Sequence, residues 1–399
     1  MKVLQINDVC GRGSTGKICV GISRLAKDAG IDNKIVYFSG QSDYPLAKKI
    51  SSNASIKMQA LKSRIFGNYG FNSDFATKKL IKELTEYDPD IVHIHNIHGH
   101  DVNFELLFDF LKRKNKKVVY TFHDCWAFTG YCPHFSMIKC DKWQTTCSHC
   151  PLKKSFSWFF DASERNFERK KKALEGLDLT IVTPSKWLAD VVGRSFLKDV
   201  PVKVINNGID LDVFKPCKSN FRSSYGISEN EYVVLGVAFG WNKRKGLDVF
   251  IELNKRLPKE YRIVLVGTND KVDRQLPKSI ISIHRTQNQR QLAEIYTAAD
   301  LFVNPTREEN YPTVNMESLA CGTPVLTFRT GGSPEILNEK CGQVVDCDDI
   351  AALEKSICDI CENKPFSVGD CTKRAKSFDM NERFREYVYL YREILKQPY

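Results

Sequence analysis

Short, unbroken apolar runs recur along this chain, each separated from the next by enough residues for one amphipathic helix. Lys34-Ile-Val-Tyr-Phe38, Ile91-Val-His-Ile-His95, Lys117-Val-Val-Tyr-Thr-Phe122, Leu179-Thr-Ile-Val-Thr183, Val233-Val-Leu-Gly-Val237 and Arg262-Ile-Val-Leu-Val266 are the clearest. A strand with one wet face alternates apolar and polar side chains, whereas a strand covered on both faces does not. Continuous runs alternating with helices therefore predict an α/β fold of parallel sheets wrapped on both sides.

The 399 residues exceed one ordinary domain and suit two. Asn206-Asn-Gly208 is a turn signal, and a fresh strand begins near Tyr232, so a boundary is expected close to residue 200. The expected parts are 1–200, with a cysteine-rich insert at about 125–151, then 201–376, then a final helix in 377–399 that returns to the first domain. Two Rossmann-like domains would face a cleft, with ligands at the carboxyl ends of the strands.

Apolar residues make up 42% of the chain, enough for a real core in either half. No run reaches the roughly 18–20 apolar residues of a membrane span. Met1-Lys-Val-Leu-Gln-Ile6 reads as a first strand and not a signal peptide, so a cytoplasmic protein is expected. The net charge of +11 is lopsided. Residues 1–200 carry 31 Lys and Arg against 21 Asp and Glu, while 201–399 carry 28 against 27. A basic first half fits an acidic partner or merely a solvated face.

Gly11-Arg-Gly-Ser-Thr-Gly16-Lys17 follows the first strand and matches the start of a P-loop. Ile18 stands where a P-loop needs Ser or Thr for Mg²⁺, so an NTPase is disfavoured, though the turn could still cradle an anion. Three features follow in the second half. Arg244-Lys245-Gly246 lies just after a strand and could neutralise a diphosphate. Glu309-Asn-Tyr-Pro-Thr-Val-Asn-Met-Glu317 leads into a helix expected over 312–321, opened by Pro312, with Thr313 and Val314 offering backbone N–H groups. One carboxylate there could reach a sugar while the other accepts from a ribose diol. Thr330-Gly-Gly-Ser-Pro-Glu335 is a second glycine-rich turn.

In these motifs the chain resembles the retaining family-4 glycosyltransferases of the GT-B fold. Asp90-Ile-Val-His-Ile-His95, Thr121-Phe-His-Asp124, Thr183-Pro-Ser185, Val204-Ile-Asn-Asn-Gly-Ile-Asp210 and Ala320-Cys-Gly-Thr-Pro-Val325 add to the likeness, which covers most of the chain. The resemblance implies that Glu309 contacts the donor sugar, Glu317 binds the ribose, and Arg244 and Lys245 hold the diphosphate. It implies that His123 faces the sugar and that Gly13 and Gly16 approach phosphates or acceptor. His284 and Arg285 lie where the family holds the base. Trp241 stands where the family's commoner pattern has Arg, which shifts weight onto Arg244. Chemistry without a catalytic metal is implied, and no Asp-x-Asp spacing is read as a metal site. The donor would be UDP- or GDP-linked and the acceptor a lipid-linked saccharide of a capsule, exopolysaccharide or O-antigen.

Cys132, Cys140, Cys147 and Cys150 fall within 19 residues and end in Cys-x-x-Cys, a pattern for a structural Zn²⁺, with Cys125, His134 and His149 as substitute ligands. The insert otherwise looks too poor in apolar residues to order itself. Cys358, Cys361 and Cys371 are expected to be buried thiols. Lys112–Lys117 and Arg169–Lys172 flank Ser155-Phe-Ser-Trp-Phe-Phe160, a combination that could dock on an anionic membrane. Nucleic acid is not expected as a partner. A nucleotide-sugar epimerase or phosphorylase on the same fold ranks second. A zinc-containing nucleic-acid-binding protein ranks last, since it leaves Glu309 and Glu317 without a purpose.

Overall fold

A computed structural model describes residues 1–98 and 100–396. The chain forms two compact units, residues 1–206 with 381–399, and residues 207–380. Among the described residues no helix is long and apolar enough to cross a membrane.

The first unit is a seven-stranded sheet of β1 (Lys2–Val9), β2 (Asp32–Ser39), β3 (Ala47–Lys49), β4 (Ile91–Ile94), β5 (Lys117–Thr121), β6 (Leu179–Thr183) and β7 (Val202–Val204). Its order is β3-β2-β1-β4-β5-β6-β7, and every pairing is parallel. The second unit is a six-stranded sheet of β8 (Tyr232–Val237), β9 (Tyr261–Val266), β10 (Ile281–Ile283), β11 (Leu301–Asn304), β12 (Val325–Phe328) and β13 (Gly342–Val345). Its order is β10-β9-β8-β11-β12-β13, again all parallel.

The second unit shows why its strands lack alternation. Val233 and Leu235 enter one apolar cluster, and Val234 between them enters another on the opposite face. Val264 and Val266 against Ile263 and Leu265 repeat the pattern on β9. Both faces are dry, so both need apolar side chains. In each sheet the chain reverses its direction of winding once, between β1 and β4 and between β8 and β11. Loops on either side of such a point diverge and leave a crevice at the carboxyl edge.

The final helix, Met380–Leu395, packs within the first unit. Its Tyr391 hydroxyl lies 2.6 Å from His93 Nδ1, and the Thr121 hydroxyl donates to Tyr387 at 3.4 Å. A Cβ on Gly21 would fall 2.5 Å from the Phe384 ring. Glycine there lowers local helix propensity, yet it is what lets the two helices meet.

Candidate functional site

The crevice of the second unit collects the three features that were separate in the sequence. Beyond β8 the chain makes a single 3₁₀ turn, Lys243–Lys245, whose start is capped by the Asn242 side chain accepting from Lys245 N at 3.1 Å. Gly246 then adopts φ +77°, and a Cβ there would sit 2.5 Å from the Pro305 carbonyl oxygen. The basic turn is thereby pressed against the loop that follows β11. Lys245 Nζ donates to Glu309 Oε2, and Arg244 Nη1 reaches the Glu308 carbonyl at 3.4 Å. Lys245 and Glu309 keep about a fifth of their side-chain surface exposed, so the pair faces a solvent-accessible edge.

The third feature backs the second. Gly331 has φ +53°, and a Cβ on it would lie 1.7 Å from the Glu309 carbonyl oxygen. Gly332 N donates to Asn310 O at 2.8 Å, and Thr330 Oγ1 to Thr306 O at 2.8 Å. The helix after Glu309 runs Thr313–Ala320, and Pro312 is its N-cap with non-helical ψ 116°, not its first turn as the sequence predicted. No side chain caps this helix start. The first-turn N–H groups, those of Thr313 and Val314, lie at the positive end of the helix. Glu317, further along the same helix, accepts from the Tyr296 hydroxyl at 3.3 Å.

Other expected donor residues sit apart. His284, just past β10, lies 2.5 Å from Asp273 Oδ2 and 3.9 Å from Asp270. The hydrogen bond to Asp273 raises its pKa above the usual histidine value. Arg285 beside it is exposed. Trp241 is buried, with its Nε1 donating to Val266 O at 3.0 Å and its ring edge-on to Phe250. It is a core residue, which leaves Arg244 and Lys245 as the cations of this edge. Asp-x-Asp spacings do occur, but Asp346 and Asp348 are bound by Arg329 and Arg307, and Asp210 accepts from the Asp212 and Val213 N–H groups.

The first unit has its own edge at β1 and β4. Gly13 has φ +61° and opens the helix Gly13–Asp28, with nothing within 4 Å of a Cβ placed there. Gly16 differs, because a Cβ would crowd Gly11 N at 3.1 Å and Val9 O at 3.2 Å. Gly13 thus leaves room for a ligand, while Gly16 closes the turn. His123 lines a recess of about 180 Å³ with His95, His98, Asp124 and Trp126. His95 Nε2 is 3.1 Å from Gln5 Oε1, whose own amide donates to Cys19 O. Gln5 Oε1 can only accept, so His95 carries its proton on Nε2 and accepts on Nδ1 from His123 Nε2–H, 3.1 Å away. Burial pushes His123 down to about 4 and His95 well below its usual value, so both are neutral near pH 7. Asp124 pairs with His98 at 2.9 Å; although burial opposes it, that histidine holds the carboxyl down to about 2.

The cysteine segment follows directly. Cys132, Cys140, Cys147 and Cys150 all line one recess with Tyr131, Phe135 and Trp143. Cys125, His134 and His149 do not line it. Contrary to the sequence expectation, the segment has an aromatic core, with Trp143 stacked on Phe135 at 4.8 Å and edge-on to Phe128. Among the described residues the one trio of metal-capable atoms mutually within 4.8 Å is Asp270, Asp273 and His284, so the four sulfurs stand further apart. Cys361 and Cys371 are buried and Cys358 half-buried. The basic runs are partly committed within the fold: Arg169 binds Glu105, Lys116 binds Asp88, Lys117 binds Asp178 and Lys170 is fully buried, while Arg113, Lys114, Lys171 and Lys172 are exposed.

The chain is similar to known proteins. The family model described as Glycosyltransferase Family 4 matches residues 22–213, and that of glycosyl transferases group 1 matches residues 231–363. The chain belongs to glycosyltransferase family 4. WcaC of Escherichia coli K12, described as a colanic acid biosynthesis glycosyl transferase, is 22% identical over 88% of this glycosyltransferase and 89% of its own length. The fold is that of GT-B glycosyltransferases. Sucrose-phosphate synthase from Thermosynechococcus elongatus superposes with TM-score 0.71 at 17% identity over 99% of both chains. Anabaena HepE in complex with UDP and glucose gives 0.70 at 14% identity, over 98% of this chain and 100% of that one.

Two groups of this glycosyltransferase escaped the sequence reading. Arg307 is nearly buried and grips Asp248 through two nitrogens at 2.8 and 3.0 Å, Asp348 at 2.7 Å, and the Lys243 carbonyl. It ties the basic turn to the Glu309 loop, and nothing in its local sequence separates it from an exposed loop arginine. Asp101 is buried, and burial together with the nearby Asp8 carboxylate pushes it well above the usual range. The 93 residues between the two hide their proximity from sequence reasoning.

Proposed function

We propose that this glycosyltransferase moves a sugar from a UDP- or GDP-linked donor to a growing, lipid-linked saccharide of a capsule, exopolysaccharide or O-antigen, with retention at the anomeric carbon. The observation that carries the donor reading is the meeting of Lys245, Glu309 and an uncapped helix start at one crevice. HepE, of the same fold, is solved in complex with UDP and glucose, and WcaC is named as a colanic acid biosynthesis glycosyl transferase. In this reading the diphosphate draws Lys245 away from Glu309 and lies between Arg244, Lys245 and the N–H groups of Thr313 and Val314. These groups stabilise charge as the nucleotide leaves. The freed Glu309 carboxylate accepts from the donor's sugar hydroxyls, and Glu317 from the ribose. Gly13 and neutral His123 belong to the acceptor-side edge.

A thermal-shift comparison of UDP-sugars with GDP-sugars tests this reading. One class is expected to raise the midpoint, by an amount equivalent to about 2.7 kcal/mol at a hundredfold excess over Kd. Lys245→Ala should cancel the shift. No shift from either class at millimolar concentration would refute the donor reading.

The lipid-linked acceptor calls for a peripheral position on the inner face of the membrane. Trp158, Phe159 and Phe160 are each more than half exposed, as are Met58, Leu61 and Phe66 on the helix Asn53–Phe66. Trp158 N donates to Arg64 O at 2.7 Å, so the two segments form one surface. Lys57, Lys62 and Lys154 of these segments are exposed. Apolar side chains with flanking lysines suit an anionic bilayer, each lysine near the surface adding about 1 kcal/mol. Co-sedimentation with vesicles containing phosphatidylglycerol should fall at least about tenfold in a Trp158→Ser/Phe159→Ser variant. Binding unchanged by that variant, or equal on purely zwitterionic vesicles, would exclude this surface.

A further inference from the structure

We propose that Cys132, Cys140, Cys147 and Cys150 bind one structural zinc ion, and that Lys170 is the buried countercharge of that site. The inference is independent of the donor reading. Seven soft or imidazole side chains in the segment could ligate a metal, and the fold brings the four thiols, and none of the other three candidates, to one recess. They come from separate turns.

The backbone around the cluster is constrained. His149, between Cys147 and Cys150, adopts φ +47°. Gly130 cannot be enlarged, since a Cβ would meet Ser163 O at 2.4 Å.

Lys170 is the second, independent observation. It is fully buried, on the inward stripe of the helix Ser163–Leu174 with Ser163, Asn166, Phe167 and Leu174. Its ammonium donates to Trp126 O at 2.7 Å and Thr129 O at 2.9 Å and lies 3.5 Å from the centre of the Trp126 ring. It forms no salt bridge among the described residues. A buried ammonium held by carbonyls and a ring alone is costly. Thr129, whose carbonyl takes the ammonium, donates its hydroxyl to Cys132 O at 2.6 Å, so the lysine is one residue removed from the cluster. Four thiolates around a divalent ion leave net negative charge, and Lys170 stands where that charge would be compensated. Zinc suits the set because it takes four thiolates tetrahedrally at about 2.3 Å. To hold the ion the sulfurs would have to move inward, since no three of them lie mutually within 4.8 Å.

The ion would stiffen the segment that begins at Cys125, next to the His123–Asp124 recess, and so shape the acceptor-side edge. Untagged protein purified without chelators should contain about one zinc per chain by inductively coupled plasma mass spectrometry. Zinc should fall severalfold in Cys147→Ser and in Cys150→Ser. It should persist in Cys358→Ser, outside the cluster, and in Asp273→Ala, which breaks the exposed Asp270–Asp273–His284 trio. Because the cysteine variants could misfold, wild-type protein stripped of metal and titrated with Co²⁺ gives a second reading. Thiolate-to-cobalt charge-transfer bands with tetrahedral visible bands support the site. Their absence, a zinc-free preparation, disulfides at these cysteines in fresh protein, or zinc lost only in Asp273→Ala would each overturn it.

Discussion

Lys245→Ala and Glu309→Gln should each lower the rate of sugar transfer by about 10²–10³-fold while leaving the fold intact. The two halves of this expectation have different causes. Lys245 and Glu309 bind each other at a partly exposed edge. Ion pairs in such places contribute only about 0–1 kcal/mol to stability, so either residue can be lost without unfolding the unit. Catalysis depends on them differently. The nucleotide leaves with negative charge on its diphosphate, and Lys245 is the cation the basic turn holds toward that crevice. Glu309→Gln keeps size and hydrogen-bonding capacity but removes the charge, so it separates a carboxylate role from a shape role. The measurement is initial-rate transfer with the donor class found by thermal shift, paired with circular dichroism and a melting curve. Normal turnover in either variant with a normal melt would remove these residues from the reaction.

Gly331→Ala is expected to damage both stability and turnover, and its comparison with Gly176→Ala isolates the reason. Both glycines have positive φ, at +53° and +69°. An alanine at such angles costs about 1–2 kcal/mol, equivalent to a few degrees of melting temperature in a chain or domain of this size. Gly176 has nothing within 4 Å of the place a methyl would occupy, so it should show that strain and nothing more. At Gly331 the methyl would also lie 1.7 Å from the Glu309 carbonyl oxygen, and backbone must move. The segment that moves carries Glu309 itself. A displacement near 1 Å at a reacting group costs about 10²-fold in rate. Gly331→Ala should therefore melt lower than Gly176→Ala and lose at least that much activity. Equal behaviour of the two variants would show that the Gly331 turn does not set the position of Glu309.

Much of the architecture was legible because it depends on local pattern. The apolar runs that announced covered parallel strands are the runs found in both sheets, with Val233, Val234 and Leu235 pointing alternately into two cores. The turn chemistry was legible too, since Gly246, Gly331 and Asn242 act through conformations that short stretches of sequence can signal. Pro312 was misplaced by one position, because its fixed φ suits both an N-cap and a first turn, and ψ decides between them.

What failed to show in the sequence were choices between burial and exposure. Trp241 read as a departure from a binding pattern and is a core side chain under β9. Lys170 read as one cation of a membrane-facing basic run and is fully buried, while Lys57, Lys62 and Lys154 beside the aromatic patch are exposed. Its spacing from Ser163, Asn166, Phe167 and Leu174 on the inward stripe was a signal, but the composition of the run concealed it.

By itself the sequence determined the family, the two parallel α/β units and the residue types able to handle a nucleotide sugar, because strand periodicity, turn glycines and motif spacing act over a few residues. Only the tertiary structure decided that Lys245 meets Glu309 across 64 positions, that Gly331 supports that carboxylate, that Arg307 locks the two loops together, and that four cysteines share a recess beside a buried lysine. The pairings in the second unit are set by strand order, which places the loops after β8, β11 and β12 side by side. No local propensity encodes that adjacency. It follows from how the whole sheet closes its two faces against water.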